Sequence, residues 1–195
     1  MIDTGFLDAL DCPSLEVRRH DVAVDELPEG EFDLVHSRMV GEHLPNRKQV
    51  LRRMAAALKP AGWLVVEATD FVTVVPDPAV EASAARLFAR GQEAHIQYLA
   101  ETRGFDRGCG RGLSSRLRAL GLTGDDAEGR VFTWRGGSAG AGVWRHTAEQ
   151  LRGPLVDGGT MTAEEIDRVV ALLDDPAFAA LSPAVIAAWG RRPPV

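Results

Sequence analysis

"FDLVHSRMVGEHLPNRKQVLRRMAAALKPAGWLVVEATDF", residues 32–71, decides the fold. Its first part, "FDLVHSRMV" (32–40), begins as a compact apolar strand. After "GEHLPN", the run "RKQVLRRMAAALKPAG" (47–62) sets Val50, Leu51, Met54 and Leu58 at helical spacing, with basic residues on the other face and Pro60 and Gly62 as stop signals. "WLVVEATDF" (63–71) then reads as a buried strand. Strand, helix and strand joined by short connections make the βαβ unit of a parallel sheet with helices on both faces.

The pattern extends outward from this unit. Upstream, "LEVRRHDV" (15–22) is short and β-prone and is followed by the turn-like "DELPEGEF" (25–32). Downstream, residues 77–104 read as one long or two short helices and 110–122 as another. "GRVFTWRG" (129–136) reads as a strand, and "AVIAAWGRRP" (184–193) as a closing one. "TAEEIDRVVALLDD" (162–175) opens with Thr162 as N-cap and Glu165 three residues on, a capping box.

With 195 residues and 45% hydrophobic content, the chain buries a core and forms one domain, 1–195. A net charge of −6 argues against a sequence-independent nucleic-acid binder, which needs a basic face. Cys12 and Cys109 form no CxxC pair, so neither a disulfide framework nor a metal site is expected. The start, "MIDTGFLDALDC", has no basic and apolar leader pattern, and no apolar run reaches membrane-spanning length. A cytoplasmic protein without membrane or nucleic-acid partners is expected.

The block from "LEVRRHDV" through "LKPAGWLVVEATDF", continued by "GFDRGCGRGLSSRLRALGL" (104–122) and "WGRRP" (189–193), resembles a class I S-adenosylmethionine-dependent methyltransferase. The resemblance implies a Rossmann-like α/β sheet, mostly parallel with helices on both faces. It makes 15–22 the third strand of that fold, 32–40 the fourth strand with the loop that follows it, and 63–71 the fifth. Residues 1–75 then correspond to the remaining cofactor side, 76–125 to a helical cover and acceptor region, and 126–195 to the C-terminal strands and helices. In the "LKPAG" turn, Ala61 stands where the family usually has glycine. The family's first strand ends in a loop of the form E/D-x-G-x-G-x-G, and this sequence has none before "LEVRRHDV". The first strand and its helix are therefore expected to be missing, leaving an unpaired sheet edge and a gap that a homodimer would cover.

The resemblance also names site residues. Asp21 stands where the family acid accepts a hydrogen bond from the adenine amino group of S-adenosyl-L-methionine, with Val22 packing nearby. His36, Ser37 and Arg38 follow the fourth strand, where carboxyl-end loops line the crevice of an open α/β sheet. Met1 takes the place of the acid that holds the cofactor ribose, and Asp3 substitutes only by a shift of two places. His43 in "GEHLP" is a base candidate for a small-molecule acceptor, although a structural histidine near a helix start is as common.

One other stretch invites a nucleotide. "TWRGGSAGAGVWRHTAEQL" (133–151) runs from a β-prone piece through glycines into a helix, but Gly137, Gly140 and Gly142 follow neither the dinucleotide fingerprint nor a P-loop. Asp157, at the distance of a ribose acid, reads as a helix end. A connecting loop in which glycine relieves backbone crowding is expected instead. His20, His95 and His146 lack carboxylate or cysteine partners at ligand spacing; His95 with Tyr98 and Trp144 could line an acceptor pocket in the covering helices, although such an aromatic stripe is more often core. The expected function is methyl transfer from S-adenosylmethionine to a small molecule, impaired by truncation. The alternative is a non-catalytic methyltransferase-like protein in assembly or regulation. The α/β alternation alone suggests a nicotinamide-dependent oxidoreductase, without its fingerprint.

Overall fold

Val50, Leu51, Met54 and Ala57 come together on the buried face of helix α1 (Arg47–Ala57), as their spacing dictates. This is a computed structural model, and it describes residues 5–7 and 12–194. The helix ends where Leu58 turns extended, two residues before Pro60, whose ring disfavours helical geometry in the residue preceding it. Strand β1 (Phe32–Arg38) precedes α1, and β2 (Leu58–Asp70) follows it, running parallel to β1. β2 starts five residues earlier than "WLVVEATDF". The segment Lys59–Gly62 bulges between the pairs Phe32–Leu58 and Leu34–Trp63. Ala61 takes a φ of 65° there, the left-handed region where glycine is at ease.

The sheet gains β3 (Thr123–Arg130) and β6 (Ala184–Arg191), in the order β1-β2-β6-β3. β6 is antiparallel to both its neighbours, so β1, β2 and β3 share one direction and the last strand is inserted between them against it. Leu64, Val66 and Ala68 of β2 and Ala188 of β6 point to one face. There they pack under α1 and under Leu113 and Leu117 of α3 (Leu113–Arg118). Truncating a fully buried leucine of this kind costs about 2–5 kcal/mol. The other face carries Leu34, His36 and Arg38 beside Trp63, Val65 and Glu67, with Trp189 next in register. Among the described residues no helix covers this second face, so the expected helices are present on one face of this sheet only. Residues 15–22, expected as a strand, take no regular structure as far as Asp21 and enter a turn at Val22, and no strand among the described residues pairs with the outer edge of β1.

The chain leaves this sheet twice. The first excursion, after β2, builds α2 (Ala82–Arg103), a single helix capped by Glu81 at its start and by Gly104 in a left-handed turn at its end. The second, after β3, builds β4 (Thr133–Arg135), α4 (Ala139–Gln150), α5 (Arg152–Asp157), α6 (Ala163–Asp174) and β5 (Ala179–Leu181) before returning as β6. The expected strand 129–136 is thus divided between two sheets, with Val131 and Phe132 between them. The two excursions share a second core, in which Phe88 of α2 meets Trp134 and Phe178 with ring centroids 5.8 and 5.1 Å apart. The Thr162–Glu165 capping box forms at the start of α6 as expected.

The glycine stretch lies inside this second unit. A Cβ on Gly136 would stand 2.0 Å from the Asp175 carbonyl oxygen, so only glycine permits the approach of β4 to the end of α6. The Gly136 and Gly137 amides donate to Phe178 and Leu173 carbonyls, and Ser138 caps α4. The glycines therefore serve backbone packing, and these amides are not free to cradle a phosphate.

Candidate active site

The parallel strands β1 and β2 end at the same edge of the sheet, and three connecting segments are laced together there. The chain leaves β1 through Met39, whose φ of 53° is left-handed and whose amide donates to the Glu67 carbonyl at 2.9 Å. Such a conformation in a side-chain-bearing residue costs on the order of 1–3 kcal/mol and persists only where surrounding contacts impose it. A short 3-10 turn, Gly41–His43, follows. Within it Glu42 is 1% exposed. Its Oε1 accepts from the Thr69 hydroxyl at 2.7 Å and the Thr69 amide at 3.3 Å, and its carbonyl accepts from the Asp106 amide at 2.8 Å. The Glu42 carboxylate thus ties the exit of β1 to the end of β2, and its backbone carbonyl ties the same turn to the loop before α3. Nothing in the sequence distinguished Glu42 from a solvated acid.

At the end of β2, Asp70 is nearly buried and accepts two hydrogen bonds from Arg111, at 2.5 and 2.7 Å, and one from the Val72 amide at 3.0 Å. The Arg111 guanidinium holds this carboxyl below the usual aspartate range against the opposing effect of burial. Aromatic rings run from this edge into the helical unit. His43 lies on Phe105 with centroids 5.1 Å apart, Phe105 on Phe71 at 5.3 Å, Phe71 edge-on to Trp144 at 5.8 Å, and Trp144 near His95 at 6.0 Å. His43 itself is exposed. His95 borders a cavity of about 20 Å³ with Trp144, Met161 and Val169, room for a single water. Burial pushes its pKa down to about 4, so it is a neutral core side chain.

The residues named from the sequence divide into three places. Asp21 and Val22 lie in a turn in which Asp21 Oδ1 accepts the Ala23 amide at 2.9 Å. Asn46 and Arg53 of the α1 region hold that turn by its carbonyls at Ala23, Val22 and Asp25. Among the described residues Asp21 Oδ2 accepts no hydrogen bond. Asp21 therefore has one acceptor engaged in its own turn and one free beside the helix that starts at the carboxyl edge. His36, Ser37 and Arg38 are the last residues of β1 rather than a loop after it, and they alternate across the sheet. Ser37 is buried toward α1, lining a small cleft with Gly41, Leu44 and Arg47. His36 and Arg38 lie on the open face, where Glu67 accepts from His36 Nε2 at 2.8 Å and stands 3.9 Å from Arg38. His43 falls apart from them, on the Phe105 side. Asp3 and Met1 lie outside the described residues. Both cysteines are free, Cys109 buried and Cys12 exposed. Among the described residues no group of three or more potential ligands could hold a metal ion, and no helix is long and apolar enough to cross a membrane.

Comparison with known proteins supplies the family. A family described as "Methyltransferase domain" matches residues 7–123, more than half of the chain. The methyltransferase str3 of the fungus Strobilurus tenacellus is 40% identical over 74 residues, which cover 36% of this chain and 26% of that protein. The chain thus matches about a quarter of the length of this curated relative. Among solved structures, a Bacillus halodurans C-125 protein assigned as a methyltransferase superimposes with a TM-score of 0.53 at 15% identity, covering 92% of this chain and 78% of its own. The YcgJ protein of Bacillus subtilis gives 0.52 at 13% identity, covering 91% and 71%. At such identity these two likenesses speak for the fold.

Proposed function

This chain belongs to the methyltransferase domain family, and from that premise we propose that it binds S-adenosyl-L-methionine at the carboxyl edge of β1 and transfers its methyl group to a small-molecule acceptor. The observation that carries the reading is the Asp21 turn. Its free carboxylate oxygen is the acceptor an adenine amino group requires, and it is fixed by Asn46 and Arg53 beside the helix that begins at that edge. The fit is one of chemistry, an open anionic acceptor next to the half-buried Val22.

The cofactor supplies a methyl group already activated on a sulfonium, so the protein's contribution is position and dryness. In this reading Asp21 accepts from the adenine, Val22 packs on the ring, and Ser37, with His36 and Arg38 on the other side of β1, borders the methionine end. His43, on the exposed end of the aromatic run against Phe105, takes the proton of the acceptor. The helical unit of α2 and α4–α6 forms the acceptor side. Both the activity and the acceptor class are proposals, since the relative is matched over only part of its length.

Isothermal titration of the folded chain with S-adenosylhomocysteine tests this directly. Binding near micromolar strength, about −8 kcal/mol, is expected. Asp21→Ala is expected to weaken it roughly tenfold, the loss of one hydrogen bond to a charged group. Absence of heat from a folded sample overturns the proposal.

A further inference from the structure

We propose that the cleft between the start of α1 and α3 is a second site, which takes a phosphate-bearing small molecule. Arg47, Lys48 and Arg52 of α1 and Arg116 of α3 line it, around a volume of about 290 Å³. Four cations thus converge in a chain whose net charge is −6. The acid set against them is Asp106, whose carboxylate stands 3.7 Å from Arg47 and 3.2 Å from Arg116. One carboxylate does not neutralise four cations, so the cleft keeps a positive charge.

The cations are of two kinds. Arg47 and Arg116 are fixed. Arg47 donates to the Gly41 and Gly104 carbonyls, each at 3.1 Å. Arg116 donates to the Cys109 carbonyl at 2.7 Å and to Asp106, and folds back over Gly112, where a Cβ would stand 2.9 Å from its Cζ. Guanidinium groups held in this way lose little freedom when a ligand binds. Lys48 and Arg52 are exposed and have neither an ion pair nor a hydrogen bond among the described residues. They stand one helical turn apart, free to close on an anion between the fixed pair.

The helix itself works against this arrangement. Arg47 and Lys48 occupy the first turn of α1, which contains no acid, at the end where the backbone dipole disfavours a cation. Lys48 and Arg52, four residues apart, repel each other. An anion in the cleft reverses the sign of both effects. The volume is at the small end of ligand pockets, which suits a small molecule rather than a polymer. Planar guanidinium forks beside an ammonium match the oxygens and the double charge of a phosphate better than a carboxylate.

Isothermal titration of the intact chain at low salt with inorganic phosphate, pyrophosphate and phenyl phosphate is the test. Saturable binding is expected, weakened by added salt and roughly tenfold by Lys48→Gln or Arg52→Gln, with unchanged circular dichroism. Neither variant is expected to alter the titration with S-adenosylhomocysteine, which reports on the other site whatever its result. Phenyl phosphate binding more tightly than phosphate supports a phosphate ester as the ligand, and equal strength supports the free anion. Arg168→Gln, which removes an exposed cation from α6, is expected to leave binding unchanged. Absence of saturable binding of all three probes overturns the proposal. So does binding that survives the combined Lys48→Gln and Arg52→Gln change, or that Arg168→Gln weakens equally, since net charge and not the cleft then holds the anion.

Discussion

Glu42 and Thr69 stand as acceptor and donor across the ends of two parallel strands, 2.7 Å apart, while the second oxygen of Glu42 is buried with no hydrogen-bond partner among the described residues. A carboxylate satisfied on one side only is a costly tie, and its removal leaves the Thr69 hydroxyl and amide without their acceptor. Glu42→Ala is expected to lower stability by about 2–4 kcal/mol in urea unfolding. Glu42→Gln keeps an oxygen for Thr69 and sheds the half-paired charge, so its loss is expected to stay below about 1 kcal/mol.

Ala61 offers a change of opposite sign. Its φ of 65° is strained for a residue with a Cβ by roughly 1–2 kcal/mol, against the extra entropy a glycine loses on folding. Ala61→Gly is expected to raise the melting temperature by about 2–4 °C, the shift that 1 kcal/mol gives in a chain of this size. Differential scanning calorimetry decides it.

The glycine loop yields a contrasting pair. Gly136→Ala would force a methyl group into the Asp175 carbonyl, and the helical unit is expected to lose several kcal/mol or fail to assemble. Gly142, inside α4, faces open space. Gly142→Ala is expected to stabilise by about 0.5–1 kcal/mol through helix propensity. Thermal melts of the two variants side by side check both signs.

His95 sets a pH dependence. Unfolded, it takes up a proton near 6.5, whereas folded it does so only near 4, because burial disfavours the imidazolium. The unfolded chain therefore binds more protons between those values. Its contribution to stability is complete above about pH 6.5 and lost as pH falls toward 4, on the order of 3 kcal/mol in all. Denaturant midpoints measured from pH 7.5 to 4 are expected to fall, and His95→Phe to flatten the slope in that window.

The centre of this fold is written in local pattern. Helical spacing from Val50 to Met54 and the stop at Pro60–Gly62 define β1-α1-β2, and Thr162 with Glu165 defines the start of α6. What the pattern misses depends on neighbours. Thr123–Arg130 carries Asp125, Asp126 and Glu128, with none of the apolar alternation of a core strand, because it lies at an exposed sheet edge and owes its form to pairing with β6. Residues 15–22 have β-prone composition, yet composition makes no strand without a partner. For the candidate site, sequence reasoning places His36–Arg38 in a loop because it cannot see that β1 extends to Arg38. It passes over Glu42 because burial, which gives that carboxylate its structural consequence, comes from Thr69 and Asp106, 27 and 64 positions away.

The position of β6 carries a consequence for how the molecule is made. This strand, Ala184–Arg191, is the wedge between β2 and β3, so the sheet cannot close until it has left the ribosome. During translation β2 waits with one flank bare while more than a hundred residues are added, and β3 waits with no partner at all. The helical unit, closed by β5 at Leu181, is complete only just before β6 begins at Ala184. Until then β2 and β3 are the segments that stand longest with an unpaired strand edge open to chaperones and proteases.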